Sequence, residues 1–224
     1  MNITGIDTLG LDRVLKRGSG EILAERDDAL LVRDSVSGAC LLACENAAAG
    51  RPLLDHPAVR DCSLLMVSDA ELGRAVFRDY GFSDMLECCQ AAFFGKAPEA
   101  EPGLSLRPAG PCDLPLLTAT YDLVSPEELA QIVGRQRLLL GYDGERLVGF
   151  IGEHLEGSMG LLYVFPPCRR RGYAAALERQ MIARTMAEGF IPFGQVEKDN
   201  LASLALQRKL GMTLSDNLIC WMWR

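Results

Sequence analysis

The sequence predicts an α/β chain, an α+β mixed sheet laid out in two segments, on three observations. Apolar residues make up 49% and charged residues 24% of its 224 positions, the proportions of an ordinary globular protein. Short apolar runs alternate with stretches of helical spacing, and glycines stand where helices should end, Gly189 after one and Gly211 after the next. Between the segments lies Gly95-Lys96-Ala97-Pro98-Glu99-Ala100-Glu101-Pro102-Gly103, which has no apolar periodicity and reads as a linker. The expected organisation is a domain over 1–97, a linker over 98–103 and a second domain over 104–224.

In the second segment Leu104–Arg107 reads as a short strand, and the run from Asp113 through Tyr121 and Pro126 onward as helical. Leu138-Leu139-Leu140 leads into Tyr142-Asp143-Gly144-Glu145, a turn of the kind that joins antiparallel strands. Leu147–Glu153 returns, and Met159–Phe165 is the next strand. Pro166-Pro167 stops it, because proline cannot donate to a ladder. Gly172–Glu188 follows as a helix with Leu177 and Met181 on one face. Phe193–Glu197 is then a strand, Asp199 or Asn200 an N-cap, Leu201–Leu210 a helix and Leu218–Trp223 a last strand. The order is β-α-β-β-β-α-β-α-β. The first segment repeats part of it: Val67–Ala70, a helix over Glu71–Tyr80, Gly81-Phe82 and strand-like Met85–Phe94 parallel Val196 through Trp223. A degenerate internal duplication is the expectation.

Lys and Arg number 23 against 30 Asp and Glu, a net charge of -7. Such a balance argues against the broad basic footprint of a nucleic-acid binder. No apolar run reaches the ~18 residues that span a bilayer, and no leader pattern opens the chain, so no membrane partner and a cytoplasmic location are expected. The eight cysteines include no CxxC pair and there are two histidines, His56 and His154. A metal site is not expected. Most of the thiols sit in apolar or alanine-rich surroundings and read as small buried hydrophobes, not as a disulfide framework.

The sharpest signal is Leu161-Leu162-Tyr163-Val164-Phe165-Pro166-Pro167-Cys168-Arg169-Arg170-Arg171-Gly172-Tyr173-Ala174. An apolar strand runs through a turn and three arginines into a helix opened by small residues. A helix N-terminus carries unpaired N–H groups and the positive end of the macrodipole, so this reads as a pyrophosphate cradle. Gly172 and Ala174 keep the approach open, and Arg169, Arg170 and Arg171 add charge. Neither a Walker loop nor a dinucleotide fingerprint fits the spacing.

With Arg169-x-x-Gly172-x-Ala174 behind Val164-Phe165-Pro166, the segment resembles the GNAT family of N-acetyltransferases. Asn200-x-x-Ser203 and Lys209-Leu210-Gly211-Met212 resemble further motifs of that family, so the likeness covers about 104–224. Gly152–Gly160 is similar to a bacterial subgroup. The resemblance implies a GNAT fold in the C-terminal half, a GNAT-like repeat without a cofactor motif in the N-terminal half, and direct acetyl transfer from acetyl-CoA, the cosubstrate, to an amine. It further implies that the backbone at Leu162 and Val164 binds the pantetheine arm and polarises the thioester, that the amides from Arg169 through Tyr173 to Ala174 hold the pyrophosphate, and that Asn200 and Ser203 complete the pantetheine site. The acceptor, a small-molecule or protein amine with a lysine-like pKa near ~10.4, must be deprotonated. Glu156 is the first candidate by position, and His154 the second, favoured by its intrinsic pKa. Glu153 lies beside them, and Glu197 is the fallback. The position where the family often carries a tyrosine acid is Gln207. An amide cannot protonate a thiolate, so an acyl-CoA-binding sensor without turnover is the alternative reading. A homodimer is also an expectation.

Overall fold

A computed structural model describes residues 5–99 and 103–224; positions 100–102 of the expected linker lie outside the described residues. In chain order the elements are α1 (Leu9–Lys16), β1 (Gly20–Glu25), β2 (Ala29–Asp34), β3 (Cys40–Cys44), α2 (Ala47–Gly50), α3 (Pro57–Asp61), β4 (Leu64–Val67), α4 (Ala70–Asp79) and β5 (Asp84–Ala92). Then follow β6 (Leu104–Pro108), α5 (Leu114–Thr120), α6 (Pro126–Gly134), β7 (Leu138–Asp143), β8 (Arg146–Glu153), β9 (Met159–Val164), α7 (Tyr173–Ala187), β10 (Phe193–Glu197), α8 (Leu201–Lys209) and β11 (Thr213–Trp223). They gather into two compact units. One takes the chain up to Ala92 together with Gln195–Arg224, the other Phe93–Gly194.

In the first unit the strand order is β1-β2-β3-β4-β11-β5. β1, β2 and β3 are antiparallel, β4 runs parallel to β3, and β11 is antiparallel to both β4 and β5. Successive side chains of a strand point to opposite faces, and both faces here are covered. Leu31, Leu42, Leu65, Val67, Cys220 and Met222 pack on one side with Leu53, Leu72 and Val76 from the helices; Leu30, Val32, Leu41, Met66, Ile219 and Trp221 pack on the other with Leu11 and Val14 of α1. Two-sided burial is why β2 to β4 read as continuous apolar runs in the sequence and not as alternation.

The series α1, β1-β2-β3, short helices, β4-α4-β5 repeats as α5 and α6, β7-β8-β9, α7, β10-α8-β11. The copies differ where it matters for a ligand. After β3, Pro52 and Pro57 break the chain into a four-residue α2, a 3-10 turn over Arg51–Asp55 and a five-residue α3, where the second copy has the single α7 of 15 residues. β3 and β4 also stay joined to their ends: the Ser68 N–H donates to the Leu42 carbonyl at 2.9 Å, and the Cys44 N–H to Ser68 Oγ at 2.9 Å.

In the second unit β6-β7-β8-β9 is an antiparallel run, and β10 pairs with β9 in parallel at Gly194↔Met159. The helical stretch expected over 113–134 is two helices. Ser125 is extended (ψ 154°) because Pro126 follows it, and its Oγ accepts from the Glu128 N–H at 3.1 Å, capping α6. The last strand starts earlier than expected, at Thr213. All eight cysteines are free thiols, with Cys112 exposed, Cys89 half-buried and the rest buried. No helix of the described residues is long and apolar enough to cross a membrane, and no three His, Cys, Asp or Glu side chains among them gather as a metal site.

Candidate active site

The site grows from an irregularity in β9. Its register with β8 jumps from Phe150↔Tyr163 to Gly152↔Gly160, a bulge at which Leu161 takes a left-handed φ of 49°. That conformation is costly for a branched side chain and persists only where the surroundings enforce it. Leu161 is buried, and the Tyr121 phenol hydrogen-bonds to its backbone. Burial, together with the nearby Glu128 and Asp122 charges, pushes that phenol up to about 12. The Tyr121 ring meets Phe150 edge-on at 6.0 Å, and Phe150 stacks on Tyr163 at 5.4 Å. The bulge is thus clamped from the break between α5 and α6.

Beyond β9, a 3-10 turn over Pro166–Cys168 delivers the chain to Arg169, which is extended (ψ 158°). Arg170 (φ 60°) and Gly172 (φ 90°) are both left-handed, and Gly172 is the residue before the first turn of α7. Turns of this kind gather N–H groups into anion-binding concavities. The first amides of α7 have no intrahelical acceptor; the series begins with the Ala176 N–H to the Gly172 carbonyl at 3.0 Å. A Cβ built on Gly172 meets nothing within 4 Å, so the mouth of the helix is open, and all three arginines are exposed. The arrangement fits a pyrophosphate.

The predicted residues take distinct positions. The Arg169 Nε donates to the Val164 carbonyl at 3.0 Å and its guanidinium lies 5.5 Å from the Tyr163 ring centre, so this side chain folds back on β9. Arg170 and Arg171 are exposed at the turn. Tyr173 donates its hydroxyl to Asp143 at 2.5 Å, which ties the start of α7 to β7 and leaves its amide, not its ring, for the cradle. Leu162 and Val164 are half-buried on β9. In the first unit, the Asn200 side chain accepts from the Ser203 N–H at 3.1 Å as the N-cap of α8, Glu197 is exposed, and Gln207 is buried.

Around Gly160 stands a polar cluster. His154 is held by a turn in which its N–H donates to the Ser158 carbonyl (2.8 Å) and its carbonyl accepts from the Gly157 N–H (2.9 Å). Its ring covers Gly160, where a Cβ would stand 2.5 Å from Nε2. Glu156 is 6% exposed and accepts from the Ser158 hydroxyl. On the other side, His154 Nδ1 lies 3.9 Å from Glu128 Oε1. Burial opposes the charged imidazolium, but Glu128 and Glu156 outweigh it and hold the His154 pKa above the usual histidine value. Glu153 is different: it pairs with Arg137 at 3.1 Å and accepts from Thr185 Oγ1 at 3.1 Å, a buried bond between β8 and α7. His154 and Glu156 are candidates the sequence names; Glu128, beside His154, and Tyr121, beside Leu161, are not. Ser125-x-x-Glu128 is legible as a helix start, yet nothing in the sequence says that this helix start faces His154.

A strand that runs through a bulge into an open helix N-terminus, with carboxylates and an imidazole at the bulge, defines a class by fold: α/β proteins built around a strand-turn-helix connection. The family is narrower. Residues 112–212 match the profile of the Acetyltransferase (GNAT) family, and this part of the chain is a GNAT acetyltransferase domain. Solved structures extend the likeness to the whole chain. A Drosophila protein is 15% identical with a TM-score of 0.65, covering 100% of this chain and 92% of its own. A protein from Novosphingobium aromaticivorans assigned to the GNAT family is 16% identical with a TM-score of 0.59, covering 97% of each chain. A GCN5-related N-acetyltransferase-like protein from Streptococcus suis is 13% identical with a TM-score of 0.57, covering 96% and 92%. At these identities the likeness is one of fold: a GNAT fold in the C-terminal half preceded by a GNAT-like degenerate repeat. No curated relative matches this sequence.

Proposed function

We propose that this chain is an acyl-CoA-dependent N-acyltransferase that moves acetyl from acetyl-CoA to a primary amine by direct attack. Residues 104–224 are the transferase half, 98–103 the linker, and 1–97 a GNAT-like domain without a cofactor motif. The observation that carries the reading is that one strand, β9, bears both the polar cluster at Gly160 and the left-handed turn that opens α7. Bound, the thioester supplies an activated acetyl carbon and a leaving thiolate. The amides from Arg169 to Ala174 take the pyrophosphate, with charge from Arg170 and Arg171. Leu162 and Val164 hold the pantetheine through their backbone, Val164 with the carbonyl lone pair that Arg169 leaves open. Asn200 and Ser203 are assigned to the same arm by the family motif.

A lysine-like ammonium, pKa near ~10.4, must lose its proton before it can attack. Glu156 and His154 are the groups for that proton, and the charges around His154 favour its protonated form once the proton arrives. Gln207 has no acidic proton to give, so the departing thiolate takes one from solvent.

Gln207 also favours a second reading, a coenzyme-binding sensor without turnover. Thiol release from acetyl-CoA, followed across a panel of small primary amines and lysine peptides, separates the two. Amine-dependent release is expected in the natural protein, with both release and coenzyme A affinity lost in Gly172→Glu, whose carboxylate would stand where the phosphates bind. Binding without release across the panel would identify the sensor, and unaltered affinity in Gly172→Glu would remove the cradle.

A further inference from the structure

Glu128 has so far no task in the reaction, yet its place is closely determined. It lies in the first turn of α6, where the Ser125 hydroxyl caps its N–H and where a negative charge is favoured by the helix dipole. Its carboxylate keeps 34% exposure and stands 3.9 Å from His154 Nδ1. The imidazole itself, 28% exposed, has little freedom. The turn from His154 to Ser158 holds its backbone, and the ring covers the bare face of Gly160 with Nε2 next to β9. Two carboxylates face it, Glu128 from α6 and Glu156 from the turn, and they differ in freedom. Glu156 is buried and committed to the Ser158 hydroxyl; the half-exposed Glu128 is the one that can follow the imidazole as its charge changes.

We propose that Glu128 is a positioning residue: it holds the Nδ1 side of His154, so that Nε2 is presented over Gly160 beside the β9 bulge and takes the proton of the acceptor amine. In that step the ammonium N–H bond breaks, a bond from the proton to Nε2 forms, and the amine keeps the electron pair with which it attacks. The imidazolium then has Glu128 as its counter-charge. This assignment rests on the acyltransferase reading, but the pairing can be measured without turnover.

The test is an NMR titration of the two imidazoles, with His56→Gln used to assign the signals, in the natural protein, Glu128→Gln and Glu128→Asp. An opposite charge at about this distance displaces a pKa by roughly 1 unit, so the His154 midpoint should fall by about that much in Glu128→Gln and return most of the way in Glu128→Asp. The acidic limb of kcat/KM for the amine should follow it downward while kcat drops about tenfold, less than the roughly 10²-fold or more expected for loss of the general base itself, and the KM for acetyl-CoA stays unchanged. An unmoved His154 midpoint in Glu128→Gln would overturn the proposal, as would a moved midpoint with kcat and pH profile intact. If the natural protein acetylates no amine while the midpoint still moves, the acyltransferase reading fails and its task for Glu128 with it, and the pair itself is not the part at fault.

Discussion

A buried carboxylate is expensive unless its oxygens are satisfied, and Asp34, with 0% of its surface exposed, is satisfied completely. It accepts from Ser19 Oγ (2.5 Å), Arg17 Nη2 (2.8 Å), the Ser37 N–H (2.9 Å) and Ser37 Oγ (2.6 Å), fastening β2 to the end of α1 and to the turn before β3. Burial alone would raise its pKa, but the hydroxyls, the Ser37 amide and Arg17 together outweigh it and set the value below the ordinary one. Since the folded state holds the group below its unfolded value near ~3.9, the stabilisation is present above that pH and is lost as pH falls through the folded value. Asp34→Asn should cost about 2 kcal/mol at pH 7, the scale of a hydrogen-bonded charged group, and urea unfolding should show the difference shrinking at acid pH. A pH-independent difference would mean that packing, not charge, explains the loss.

At the scale of elements, α4 lies so close to β11 that its middle residue has no room for a side chain. A Cβ at Gly73 would stand 2.5 Å from Cys220 Sγ and 2.6 Å from Cys220 Cβ. Two effects oppose each other in Gly73→Ala. Alanine is the better helix former by about 1 kcal/mol, whereas overpacking a filled core costs roughly 1–3 kcal/mol. The Cys220 Cβ belongs to the ladder and cannot swing away, so the clash wins and the variant should unfold at lower urea concentration than the natural protein. A stabilised Gly73→Ala would show that α4 can slide on the sheet. The same contrast separates the two parallel strand pairs. β3 and β4 remain hydrogen-bonded as far as Cys44 and Ser68, whereas the ladder between β9 and β10 consists of Gly194↔Met159.

At the scale of the whole molecule, the last strand of each repeat is not where chain order would put it. β11 sits between β4 and β5, pairing Trp221 with Met66 on one side and with Leu86 on the other. Both of those partners belong to residues 1–97. A fragment of residues 98–224 would therefore carry β11 with two unpaired edges and its buried Ile219, Cys220 and Met222 uncovered, a form that aggregates. That fragment should be insoluble or molten alone and should become soluble when co-expressed with residues 1–97. A monomeric fragment of 98–224 with a cooperative unfolding transition would disprove the dependence.

Local signals were enough for a large part of this molecule. Helix α7 begins after Gly172 and ends before Gly189, Pro166 ends β9, and Asn200 caps α8, because caps, prolines and left-handed glycines act within a few residues of themselves. The turn proposed to hold the pyrophosphate was legible for the same reason: its amides, glycine and arginines are contiguous in the chain. Histidine 154 and Glu156 could be named because they lie in one short turn ahead of Met159. What required the tertiary structure is every feature in which distant segments meet. The pairing of β11 with both β4 and β5, the Tyr121 clamp on the Leu161 bulge, and Glu128 beside His154 each depend on packing that no local pattern encodes. So does the difference between Glu153 and Glu156: three residues apart on neighbouring backbone, one is committed to Arg137 and Thr185 and the other faces His154, since a side chain's partners are set by the sheet register and the helix laid against it.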